Sequence, residues 1–119
     1  MRISDKEEFE LAYRAFVKAL KVIAEDPATQ CKMMGNYNVA WELKDDATSG
    51  TYLLDLPGGK LSNEQKDGIR ELLAEMNKIP NSVFASATSV SANKQAMNHR
   101  RWIPVREHAS KLLRILQGP

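Results

Sequence analysis

Arg100, Arg101 and Arg106 gather at the start of the last amphipathic stretch of the chain, with Trp102 among them. Pro104–Gln117 predicts a helix there, and a helix N-terminus already carries partial positive charge. Its N-cap position, around Ile103, offers no side-chain oxygen, and Glu107 is the only acid close by. Free N–H groups beside guanidiniums are the chemistry of an anion site. A phosphate, a ligand carboxylate or the acids of another protein would satisfy it. Trp102 would add an aromatic face for a base or an arginine, unless it packs into the core.

A second charged constellation has the opposite sign. Asn63–Lys78 predicts an amphipathic helix with Ile69, Leu72, Leu73 and Met76 on its inner face. Glu64, Asp67, Glu71 and Glu75 then form an acidic stripe on the opposite face. Asp67/Glu71 and Glu71/Glu75 are like-charged pairs four residues apart, a spacing that costs an isolated helix about 0.2–0.5 kcal/mol per pair. The stripe reads as a solvated face or as an acidic docking face for a basic partner. A metal site is not expected from it, because oxygen-rich metal sites need ligands that converge, and one straight helix face does not.

Nucleophiles and general bases are sparse. His99 and His108 fall on different predicted elements, with no cysteine or acid at metal-ligand spacing. Cys31 would need a histidine delivered by the fold. No nucleophile elbow or zinc-protease pattern is present. Gly59–Lys60 superficially suggests a phosphate-binding loop, but that motif needs glycine where Leu54 stands and Ser or Thr where Leu61 stands. Pro57–Gly58–Gly59–Lys60 reads instead as a tight turn feeding a helix cap. The expectation is a non-enzymatic protein with no cofactor.

The elements that must position these groups begin with Ser4–Glu25. Phe9, Tyr13, Phe16, Leu20 and Ile23 recur at alternating spacings of four and three, which is one stripe of a helix. Ala12, Ala19, Leu11, Ala15, Val22 and Val17 widen it, so the helix needs neighbours on more than one side. Ser4 with Glu7 is a capping-box pattern. Asp26–Pro27 ends this helix and starts a short one over Pro27–Met34, with Gly35 as its cap. Asn38–Asp46 predicts a further turn or two, with Val39, Leu43, Tyr37 and Trp41 packing inward. That helix pair matches a helix-turn-helix DNA reader poorly, since Glu42, Asp45 and Asp46 would face phosphates. Ser49–Gly50 predicts a turn, and Thr51–Leu56 a short extended or β segment. Ser62 with Gln65 makes another capping box. The Ser/Ala-rich stretch Ser82–Ser91 precedes a short helix over Ala92–Asn98, capped by Ser91, and Gly118 closes the last helix.

The fold class expected is mainly α: a single domain over residues 1–119, of about five helices packed around the N-terminal one. Asn63–Lys78 and Pro104–Gln117 are its two long antiparallel neighbours. A chain of 119 residues suffices for one core. One cysteine excludes an internal disulfide, no apolar run approaches a membrane span, and the acidic N-terminus is unlike a signal peptide. A cytoplasmic location is the default. Net charge is only +2, yet residues 1–90 carry 11 basic and 14 acidic side chains and residues 91–119 carry 6 and 1. The leading expectation is a protein-binding module (adaptor, inhibitor or immunity-type) docking through charged helical faces. The alternative is nucleic-acid binding through segment 94–114, with Lys94, Lys111 and Arg114 joining the three arginines. The wide apolar arc of the first helix makes a homodimer an equal option.

Overall fold

A computed structural model describes residues 4–34, 38–57, 59–85 and 89–117. The expectations for Gly35, Tyr37, Gly58 and Gly118 lie outside the described residues. Among the described residues six α-helices follow in order: α1 (Asp5–Ile23), α2 (Pro27–Met34), α3 (Val39–Asp55), α4 (Asn63–Asn77), α5 (Val90–Met97) and α6 (Trp102–Gln117). A 3-10 turn, Asn81–Phe84, lies between α4 and α5. The described residues contain no strand.

Local chemistry sets most of the boundaries. The Ser4 hydroxyl accepts the Glu7 N–H at 3.1 Å, capping α1. Asp26 accepts the Thr29 N–H at 2.8 Å at the start of α2, and this bond holds the Asp26 carboxyl below its usual pKa. Asn38 caps α3 through the Trp41 N–H. Ser62 and Gln65 form a complete capping box on α4. Ser89, rather than Ser91, caps α5, and that helix starts two residues earlier than expected.

The expected turn and extended segment over Ser49–Leu56 are not found. α3 continues as helix through Gly50 to Asp55. Gly50 is buried, and a Cβ there would lie 2.9 Å from Phe16 Cε1 and 3.0 Å from Ile69 Cγ2. The glycine is a gap that lets α1 and α4 close on α3, not a break in its backbone. Burial of Leu53 and half-burial of Leu54 outweigh the weak helix preference of Thr51 and Tyr52.

One hydrophobic core joins all six helices, running from Phe16 and Leu20 through Leu43, Ile69 and Leu72 to Trp102 and Leu112. Its layout differs from the expectation in one respect. α1 packs on α3 and α6, while α4 packs on α6 and α3 instead of serving as a principal neighbour of α1. α3, longer than expected, is the element with most neighbours. Trp41 is half exposed, because a helix advances about 100° per residue and position 41 points away from buried Val39 and Leu43. No described helix is long and apolar enough to cross a membrane.

Candidate functional site: the charged groove between α4 and α6

The start of α6 is organised differently from a free anion site. The helix begins at Trp102, two residues before the expected Pro104. Its first N–H groups are engaged locally: Trp102 N donates to His99 O at 3.0 Å and Ile103 N to Arg100 O at 3.1 Å. Pro104 has no N–H to offer. Arg101 N donates to Nδ1 of His99 at 3.1 Å.

The four residues expected to cluster there diverge. Trp102 is fully buried and packs edge-on against Phe84, at 6.3 Å between ring centroids. Arg106 turns inward. Its Nε and Nη2 donate to Oε1 of Gln30 at 3.3 and 3.0 Å, and Nη2 also donates to the Met97 carbonyl. Burial pulls the guanidinium below its usual pKa, while Asp26 and Cys31 act in the opposite sense. Arg100 and Arg101 are exposed. Arg101 stands in the turn just before α6, whereas Arg106 lies within the helix, one turn further on. Arg101 therefore lies toward Glu75 of α4, and Arg106 toward α2 and α5.

Gln30 is the residue that sequence reasoning missed. It is fully buried, donates through Nε2 to the Val22 and Ile23 carbonyls at 3.2 and 2.9 Å, and presents its oxygen to Arg106. The carbonyls at the C-terminal end of α1, the Gln30 amide, the Arg106 guanidinium and the last carbonyl of α5 thus form one relay. Helix C-terminal carbonyls lack internal partners, and this relay supplies them. Buried Asn93 acts similarly, its Oδ1 accepting the Val39 N–H at 3.0 Å.

The acidic stripe sits at the edge of the packed face of α4, not opposite it. Glu71 and Glu75 each precede a buried residue, Leu72 and Met76, and so project about 100° from it, beside α6. Glu64, Asp67 and Glu71 line one wall of a groove of about 400 Å³. His108, Lys111 and Ile115 of α6 line the other, over a floor of Gly68 and Leu112. A Cβ on Gly68 would come within 2.8 Å of Leu112 Cδ1, so the glycine permits the close approach of the two helices. Glu75, with a side chain only 19% exposed, receives a hydrogen bond from Lys78 Nζ at 2.9 Å. That bond holds its carboxyl below the usual range against the effect of burial, helped by the charges of Lys78, His108 and Arg101. Asp67 pairs with Arg70 at 3.1 Å, both well exposed. Among the described residues, Glu64 and Glu71 have no ion-pair partner within 4.0 Å.

Acid–base or metal chemistry finds little here. No three of the described His, Cys, Asp and Glu side chains are placed to hold a metal ion. Burial pushes the Cys31 thiol up, and the charges acting on it are Lys94 and Arg106, not a histidine. The groove offers an acidic wall, a basic wall and an apolar floor, an arrangement suited to recognition. No protein-family model, curated protein or solved structure matches this chain.

Proposed function

We propose that the chain is a small non-enzymatic protein-binding module, of adaptor, inhibitor or immunity type, that docks a partner on the charged α4–α6 face. The carrying observation is the pair Glu64 and Glu71, exposed on the groove wall and without ion-pair partners among the described residues. Glu71 is flanked by a like charge four residues away on each side, Asp67 and Glu75, a spacing that destabilises a helix rather than supporting it. A basic partner does gain, through steering and register. A lone free thiol, Cys31, fits a reducing compartment such as the cytoplasm.

The second reading is nucleic-acid binding through segment 94–114. It is favoured by the exposure of Lys94, Arg100, Arg101, Lys111 and Arg114. It is weakened by the acids that flank two of them, Glu75 near Arg101 and the carboxylate wall facing Lys111, which would repel a phosphate backbone.

Affinity capture with the tagged full chain, run with and without nuclease and at two salt concentrations, separates the readings. Protein docking expects a stoichiometric protein band that survives nuclease and is lost with Glu71→Lys. Material that disappears with nuclease, and is lost with Arg101→Glu but not Glu71→Lys, overturns docking in favour of nucleic acid, whose binding falls steeply with salt.

A further inference from the structure

α1 is covered along only part of its circumference. Phe16, Leu20 and Ile23 are fully buried, yet Leu11 is 57% exposed and Ala15 is open to solvent on the neighbouring flank. α3 runs antiparallel beside that flank. Tyr52, near the end of α3, bonds Glu8 near the start of α1. Toward the other end, Val22 and Asp45 border the same groove. This groove encloses about 410 Å³; Ala15, Lys18 and Val22 of α1 and Asp45, Asp46 and Ser49 of α3 form its two walls, and Met34 of α2 also borders it.

Its two walls carry opposite charge. Lys18 stands on the α1 wall, Asp45 and Asp46 on the α3 wall. None of the three has an ion-pair partner within 4.0 Å among the described residues. Burial pushes the Asp46 carboxyl above its usual pKa, Glu42 and Asp45 push it further, and no cation offsets them.

We propose that this α1–α3 face joins two copies of the chain about a two-fold axis running along the groove, with Lys18 of each copy set over the partner subunit's Asp45 and Asp46. Such an axis keeps every level of the groove in register while exchanging its walls. α1 then stacks on α3 of the other copy, and Leu11 meets the partner subunit's Tyr52, itself 52% exposed. Because α1 and α3 are antiparallel, the four helices make an up-down bundle, and the interface is isologous. An axis across the groove would instead lay acid on acid. A purely basic partner would satisfy the aspartates and strand Lys18, whereas a second copy satisfies both.

Sedimentation of the untagged full chain over micromolar to submillimolar concentrations tests this. The wild-type chain is expected to dimerise. Lys18→Glu and the paired change Asp45→Lys/Asp46→Lys should each raise the dissociation constant by about a hundredfold or more, since symmetry repeats every clash twice. Mixing the two variants should restore a heterodimer, and combining Lys18→Glu with Asp45→Lys/Asp46→Lys in one chain should restore a homodimer. Helicity by circular dichroism verifies folding, and Ala15→Arg at the exposed rim serves as a further disrupting variant. A wild-type chain that stays monomeric overturns the proposal. So does a dimer indifferent to all three disrupting variants, or one that the charge-matched mixture fails to restore.

Discussion

Arg106 and the carboxylates of α4 are both charges beside a helix contact, and they are treated in opposite ways. The guanidinium is drawn half inside, where Gln30 Oε1 and the Met97 carbonyl receive it. Every partner there is an oxygen that the fold itself had to satisfy. Glu64 and Glu71 stand at the rim of a groove with no cation of the described residues within 4.0 Å. The first arrangement ties helices together, and the second leaves potential unspent at the surface. A charge that structure consumes is unavailable to a partner, and a charge that structure ignores is the better candidate for recognition.

The largest expected effect lies on the consumed side. Arg106→Leu leaves the Gln30 oxygen and the Met97 carbonyl without their donor in a low-dielectric setting. Losing hydrogen bonds to a charged group and stranding their acceptors costs about 2–4 kcal/mol. Urea unfolding should show that loss as a lower midpoint, nearly independent of salt because the contacts are shielded from solvent ions. A loss below about 0.5 kcal/mol would mean that the relay through Gln30 is incidental to the fold.

The two glycines at helix contacts should separate in the same way. Gly50→Ala places a methyl group 2.9 Å from the Phe16 ring and 3.0 Å from Ile69, both fully buried. Overpacking of about 1–3 kcal/mol then exceeds the roughly 1 kcal/mol that alanine gains over glycine in a helix, and thermal unfolding should move down. At Gly68 the close contact is with the terminal Leu112 Cδ1, the next nearest atom being 3.9 Å away. A methyl at the end of a leucine rotates aside more cheaply than an aromatic ring. Gly68→Ala is therefore expected within about 0.5 kcal/mol of the wild-type chain. Equal losses at both positions would show the groove floor to be as tightly packed as the interior.

Periodicity made much of this legible. The stripes of α1, α4 and α6, the short helix Pro27–Met34 and the Ser62 cap follow from spacing and capping chemistry alone. The extension of α3 was not legible, because Ser49–Gly50 has the same composition whether it turns in solvent or fits against Phe16. Only the tertiary neighbour distinguishes the two. The arginines failed for a related reason. Sequence proximity placed Arg101 and Arg106 together, whereas Arg101 stays in the turn before α6 and Arg106 is carried by the helix to a different neighbour, and nothing in Pro27–Met34 marks Gln30 as the acceptor. The acidic stripe was visible as a stripe, but its place beside α6 depended on how α4 is rotated in the packed structure.

The smallest effect is the most informative about the open side. Glu71 is repelled by Asp67 and Glu75, four residues away in each direction, and attracted by Lys111 and His108 across the groove. Helical like-charge pairs cost about 0.2–0.5 kcal/mol each. No cation of the described residues lies within ion-pairing distance of Glu71, and attraction across solvent is screened over roughly 8–10 Å at ordinary salt. The repulsions should win, so Glu71→Gln is expected to stabilise the chain by a few tenths of a kcal/mol, a gain that shrinks as salt is raised. Partner capture should fall at the same time, separating stability from recognition at one residue. Destabilisation by Glu71→Gln would mean that Lys111 and His108 already neutralise the carboxylate, which would place the groove with Arg106 among the charges that the fold consumes.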